Sequence, residues 1–141
     1  MKQALFLLAG VLVVLLLAYA ALGFDLVYHL TYGVVTAMAA VIAGTFLWLW
    51  WARATPLALG MAFSWAGATS VMGWWWAFTL AGHPPAMIQH PAIFLFPAAY
   101  LVGAILHFQV INRTLGLSEG VAWMLPTIIL VALVATNAVL T

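Results

Sequence analysis

Long apolar stretches separated by single charged residues run the whole length of this chain. The charged side chains are Lys2, Asp25, Arg53, Arg113 and Glu119. Apolar runs of 22, 27 and 59 residues lie between the first four of them, and 22 residues follow Glu119. About 20 consecutive apolar residues are enough for a helix to cross a hydrocarbon core of about 30 Å. The first, second and last of these runs therefore each predict one membrane span.

The 59-residue run is long enough for two spans, because a histidine- and proline-rich break lies inside it. His83-Pro84-Pro85 and His90-Pro91 remove backbone donors and interrupt a helix. The apolar runs are continuous and do not alternate with polar residues, which argues against strands. The pattern predicts an all-α integral membrane bundle, one domain over residues 1–141, with five transmembrane helices at about 3–23, 27–52, 56–81, 91–112 and 119–140.

The basic residues predict the orientation of this bundle. If the N-terminus is cytoplasmic, Lys2, Arg53 and Arg113 all fall inside, as the positive-inside rule prefers, and the C-terminus falls outside. Residues 1–20, which end in Ala18-Tyr19-Ala20, also resemble a cleavable signal peptide. Because the apolar run is long for a signal peptide, we expect a retained helix that forms a tight hairpin with the second span.

The composition supports this class and excludes several functions. The chain is 69% hydrophobic and 4% charged, whereas soluble domains carry about 25% charged residues. It has no cysteine, so disulfides, thiolate metal sites and thiol catalysis are excluded. A net charge of +1 offers no basic surface for nucleic acid. We expect a multi-pass protein of the bacterial cytoplasmic membrane, surrounded by lipid and by other membrane subunits.

Tryptophans, small residues and prolines suggest how the helices are placed. Most tryptophans lie near the predicted span ends, which is typical of interfacial belts; they are Trp48, Trp50, Trp51, Trp74, Trp75, Trp76 and Trp123. Small residues recur every four positions, as helix packing in membranes requires; they are Gly60, Ser64, Ala68, Ala99 and Gly103. The pattern leaves open whether they contact this chain or a partner. Pro97 and Pro126 predict kinks in the last two spans.

Four polar residues on the outer side form a candidate metal site, namely Asp25, His29, His83 and His90. Asp25 and His29 are four positions apart on a helix and share one face. Imidazole and carboxylate groups are suitable ligands for copper, zinc or iron. The alternative is structural and is the one we favour. In it, Asp25 caps the second helix and the histidines form hydrogen bonds at the interface.

His107 is the one histidine expected within the apolar part of a span. Ionisable residues at such depths are functional candidates that face a bundle or a cavity. With Gly103 four positions earlier, it resembles the ligation pattern of short bacterial light-harvesting polypeptides. That resemblance implies a haem or chlorophyll-type pigment on His107, with Gly103 leaving room for the macrocycle. The alternative, which we favour, is a neutral imidazole hydrogen-bonded to a serine, threonine or tyrosine of a neighbouring span.

These features favour a non-catalytic accessory or assembly subunit of a larger membrane complex, either redox or photosynthetic. Proton- and cation-driven transporters usually carry Asp, Glu or Lys within their spans, and none of these residues lies near the middle of a predicted span. Two other functions stay open. One is a homo-oligomeric carrier or channel for a neutral or metal substrate. The other is a metal-binding subunit of a membrane oxidoreductase.

Overall fold

The computed structural model describes residues 2–116 and 119–140, and within these ranges the chain is helical and contains no strand. The helices are α1 (Lys2–Leu22), α2 (Phe24–Arg53), α3 (Pro56–Leu80), α4 (Pro85–Ile88), α5 (Leu95–Leu115) and α6 (Glu119–Leu140), with a 3-10 turn at Pro91–Phe94. The side chains of Arg113, Trp123 and Pro126, on which some of the predictions fall, lie outside the described residues.

Three helical stretches are long and apolar enough to cross a membrane, namely Lys2–Leu22, Phe24–Arg53 and Pro85–Asn112. This confirms the all-α membrane class. Helix α3 has 25 residues and no charged side chain, but it is not among these three stretches. The number of crossings therefore stays a prediction.

The second helix begins earlier than the sequence pattern suggested. Gly23 precedes it with φ 83°, a left-handed conformation that glycine adopts without strain, and its amide donates to Tyr19 O at 3.0 Å. Because α2 starts at Phe24, the prediction that Asp25 is its N-cap is wrong. Asp25 lies in the first turn instead, where its negative charge is stabilised by the helix dipole.

Helix α3 is the centre of the bundle and packs antiparallel between α2 and α5. Gly33 and Thr36 of α2 meet Trp76 and Gly73 of α3, respectively. Few residues of α1 contact α2, and few of α6 contact α5. The buried hydrophobic residues among those described are Ala39, Ala58 and Ala62. The helices therefore meet across small residues, while larger side chains point outward, as is usual where lipid surrounds the bundle.

The small residues of α3 and α5 contact each other within the chain. Gly60 of α3 faces Leu106 and His107, and Gly67 faces Phe96 and Tyr100. Pro97 lies in the first turn of α5, where its missing N–H has no intrahelical acceptor in any case. Whether the stretch Pro85–Asn112 bends at Pro97 stays a prediction.

Candidate functional site: a groove at His107 and the histidine end of the bundle

The backbones of α3 and α5 are in direct contact at Gly103. A Cβ atom on Gly103 would collide with Ser64 and would lie 2.7 Å from Gly60 O. A Cβ on Gly67 would lie 2.6 Å from Tyr100 N. Real Cβ atoms do not approach other atoms so closely. Helix α3 therefore occupies the space beside Gly103 that a macrocycle was expected to use.

An open groove of about 520 Å³ runs beside this contact, between α3 and α5. Its wall combines two polar side chains with three aromatic rings and small apolar residues, namely Ser64, Trp65, Ala68, Tyr100, Ala104, His107, Phe108 and Ile111. Along α5 it extends from Tyr100 to Ile111, a distance of about 16 Å at 1.5 Å per residue. Its volume is within the range of small-molecule sites, which is about 300–1,000 Å³.

His107 forms a hydrogen bond within its own helix. Nδ1 lies 3.2 Å from Gly103 O, one helical turn earlier. A carbonyl oxygen can only accept, so Nδ1 carries a proton and donates this bond. Within the described part of the chain Nε2 has no hydrogen-bond partner. The expected bond to a serine, threonine or tyrosine of a neighbouring span is therefore replaced by a bond within α5.

The four candidate metal ligands lie at the same end of the bundle, where α2 begins, α3 ends and α5 begins. No three His, Asp or Glu side chains among the described residues are placed to hold one metal ion. Asp25 is exposed, and His29 is half-buried beside the ring of Tyr28. Metal binding by Asp25, His29, His83 and His90 stays a prediction.

His83 takes part in ending α3. Its amide donates to Phe78 O at 2.9 Å, and the amide of Gly82 donates to Thr79 O at 3.2 Å. With Gly82 at φ 74°, these two bonds form a Schellman motif. The His83 ring also packs edge-on against Phe78, with ring centres 4.9 Å apart, which is the apolar contact that accompanies this motif.

His90 caps the 3-10 turn that leads into α5. Its Nδ1 accepts a hydrogen bond from the amide of Ala92 at 3.2 Å, so in this state Nε2 carries the proton. Its ring packs on Trp74 at 5.7 Å. The Nε1 of Trp74 donates to Met87 O at 3.3 Å and thereby attaches the α3–α5 connection to α3.

The tryptophans of α3 divide between packing and exposure. Trp74 and Trp76 are half-buried against the connection and α2, respectively, and their place in an interfacial belt stays a prediction. Trp75 is 39% exposed, and Trp48 and Trp51 of α2 are more exposed still. The three neighbouring tryptophans of α3 differ in exposure because consecutive helical residues point about 100° apart.

Sequence reasoning found His107 but missed the aromatic residues that share its groove. A signal was present, because Tyr100, Ala104, His107 and Ile111 recur at spacings of three and four and thus share one face of α5. The contribution of α3, which includes Trp65, depends on the register between two helices. No local sequence pattern predicts the register between these two helices.

Comparison with known proteins identifies no relative of this chain. No protein-family model matches the chain, and no curated protein and no solved structure matches it at a significant level. The class that the fold and the groove define is a helical membrane protein with an open, aromatic-lined groove at its central helix pair.

Proposed function

We propose that the chain crosses a bacterial cytoplasmic membrane five times, with its N-terminus inside and its C-terminus outside. We further propose that it is a non-catalytic accessory or assembly subunit of a larger redox or photosynthetic complex. Three helices have the length and hydropathy for crossing. Helix α3 runs antiparallel between two of them, and its 25 residues extend about 37 Å. The 22 residues of α6 extend about 33 Å, which is enough for a fifth crossing.

Cysteine labelling tests this topology, because the natural sequence contains no cysteine. Two single-cysteine variants suffice, Ala86→Cys in α4 and Thr55→Cys between α2 and α3. In intact spheroplasts, a membrane-impermeant maleimide should label Ala86→Cys only. Thr55→Cys should react after the membrane is opened. The reverse pattern would invert the orientation, and labelling of both variants from one side would rule out a crossing by α3.

The accessory role is supported mainly by the exposed surface of α1. No residue of this helix is buried, and Phe6 is 77% exposed. One side carries a groove of about 720 Å³ around Gly10, lined by Gln3, Phe6, Leu7, Gly10, Val11, Val14 and Leu15. A glycine in an apolar helix lets another helix approach closely, and nothing in the described chain lies within 4 Å of a Cβ placed on Gly10. A helix of a partner subunit is the occupant that fits.

Purification from the native membrane in a gentle detergent tests this role. The tagged full-length chain should co-purify with stoichiometric foreign membrane subunits. Gly10→Leu, which fills the groove on α1, should reduce their recovery at least tenfold. Ala9→Leu adds the same side chain one position away, about 100° around the helix, and should leave recovery unchanged. Recovery of the chain alone, or of a homo-oligomer only, would contradict the accessory role.

The second candidate, a carrier for a neutral solute, is favoured by polar atoms buried without partners between α2 and α3. They are Nδ1 of His29, Oγ1 of Thr36, Oγ1 of Thr69 and Nε1 of Trp76. Each helix contributes two of them seven residues apart, so each pair shares a face. Buried polar atoms of this kind are normally satisfied by water or by a ligand.

Proteoliposomes distinguish this second candidate from the first. If the α2–α3 contact conducts a neutral solute, glycerol should enter protein-containing vesicles faster than empty vesicles. Thr36→Val and Thr69→Val keep the shape of the side chain but remove the hydroxyl, and they should slow that entry. Equal rates for protein-containing and empty vesicles would eliminate the carrier.

A further inference from the structure

Two hydroxyl groups in the contact between α2 and α3 differ from other hydroxyls of this chain. The hydroxyls of Thr45 and Ser70 each donate to the carbonyl oxygen one turn earlier in their own helix, at 2.8 Å. Those of Thr36 and Thr69 are buried and have no hydrogen-bond partner within the described part of the chain. A buried polar atom that stays unpaired is costly, so these two hydroxyls require a partner in the contact itself.

The contacts between α2 and α3 place the four unpaired polar atoms of this interface in one row. The ring of Trp76 meets Gly33 of α2. The methyl group of Thr36 meets Gly73 of α3. The other two members each lie four positions before the glycine of their own helix and share its face. Because the two helices are antiparallel, the order along the row is Nδ1 of His29, Nε1 of Trp76, Oγ1 of Thr36 and Oγ1 of Thr69.

The spacing of the row matches bridging by water. At 1.5 Å per residue, its successive steps along the helix axis are about 6, 4.5 and 6 Å. These steps are too long for direct hydrogen bonds. Two hydrogen bonds of about 2.8 Å that share one water join atoms up to about 5.6 Å apart, which is close to each step.

We propose that the contact between α2 and α3 binds a row of water molecules that joins these four atoms. Buried water typically makes about three hydrogen bonds to polar groups that the protein leaves unpaired. The indole of Trp76 can only donate, whereas water and the two hydroxyls both donate and accept. A continuous chain of hydrogen bonds can therefore pass through every member of the row.

The row ends at Thr69, beyond which the contact is lined by apolar side chains. There the same two helices form a groove of about 210 Å³, lined by Ala43, Gly44, Leu47, Ala62, Phe63 and Ala66. At the other end, His29 lies in the second turn of α2. The bound waters thus extend over about 16 Å, within the half of the bundle that carries the α3–α5 connection.

Nuclear magnetic resonance of the full-length chain in detergent micelles, with ¹⁵N-labelled tryptophan, tests the proposal. The spectra of Trp76→Phe and Trp74→Phe assign the two indole N–H signals by their loss. In the wild type, the Trp76 signal should show a nuclear Overhauser cross-peak to water, with the sign of water that stays bound. Its hydrogen should exchange at least tenfold more slowly than in the unfolded chain. Trp74 is the internal control without a cross-peak, because its N–H already donates to Met87 O.

Variants of the hydroxyl residues test the row itself. Thr36→Val keeps the shape of the side chain but removes a member of the row, and should weaken the Trp76 cross-peak at least twofold. Thr36→Ser retains the hydroxyl and should preserve the cross-peak. Thr45→Val is the matched control on the same helix, since it removes a hydroxyl that bonds to Val41 O, and should change nothing. If Thr36→Val folds poorly, Thr69→Val provides the same test from α3.

Three results would overturn the proposal. They are a resolved Trp76 signal without a cross-peak to water, exchange of its hydrogen as fast as in the unfolded chain, and an unchanged cross-peak in well-folded Thr36→Val. The measurements use the isolated chain without added solute. Their outcome is therefore independent of whether partner subunits co-purify and of whether glycerol enters vesicles.

Discussion

The indole of Trp76 fills the space that a side chain at Gly33 would need. A Cβ on Gly33 would lie 2.7 Å from Cζ2 of Trp76 and 3.1 Å from Cη2. This contact fixes the distance between α2 and α3 on the half of the bundle that carries the α3–α5 connection. It also explains why Trp76, next to an exposed Trp75, is turned into the protein.

Gly33→Ala should therefore destabilise the bundle by about 1–3 kcal/mol, the usual cost of overpacking a tight contact. The effect should be smaller in a Trp76→Phe background, because the shorter ring leaves room for the added methyl. Unfolding in mixed detergent micelles measures both free energies. Gly44→Ala is the matched control on the same helix, since nothing lies within 4 Å of its added Cβ. Equal losses for the two glycines would contradict the contact.

Gly103→Ala should also destabilise the bundle, by about 1–3 kcal/mol or more. This is the order of magnitude typical of overpacked cores. Here the obstacle is backbone, because the new Cβ would meet Ser64 and Gly60 O on α3, and backbone yields less than a side chain. The same unfolding titration provides the measurement. Gly10→Ala, whose added Cβ meets nothing within 4 Å, should leave the midpoint within error. An unchanged midpoint for Gly103→Ala would mean that α3 and α5 are farther apart than described.

His90→Ala should loosen the connection between α3 and α5, because the amide of Ala92 loses its acceptor. Removal of an N-cap acceptor costs about 1 kcal/mol. His90→Asn should retain most of that stability, since the asparagine side chain is also a good N-cap. Limited proteolysis of residues 81–94 reports the difference as a faster cleavage rate for the alanine variant. Equal rates for the alanine and asparagine variants would show that His90 does not act as a cap.

Trp74→Phe should also loosen the connection between α3 and α5, because it removes a different hydrogen bond. The replacement keeps an aromatic ring beside His90 and Phe96 but removes the donor to Met87 O. We expect a loss of about 1 kcal/mol, the net contribution of a typical hydrogen bond. Trp75→Phe makes the same change at an exposed neighbour and should have little effect. If Trp75→Phe were the more damaging variant, the assignment of the two side chains would be reversed.

The sequence alone determined the class of this protein and the approximate limits of its long helices. Five charges in 141 residues leave no alternative to an apolar environment, and the breaks at Arg53 and at His83-Pro84-Pro85 lie where helices end. Those features follow from local chemistry, in which proline, glycine and charge act on the few residues around them.

Only the tertiary structure decided which faces of the helices meet. Gly103 was identified from its spacing to His107, but whether a macrocycle or another helix occupies its empty side depends on the register of α3 against α5. The same register brings Trp65 beside His107, residues 42 positions apart in the sequence. Small residues allow close approach along many faces of a helix. The side chains that exclude all but one of these arrangements lie far apart in the chain, so the choice can be made only when the helices pack.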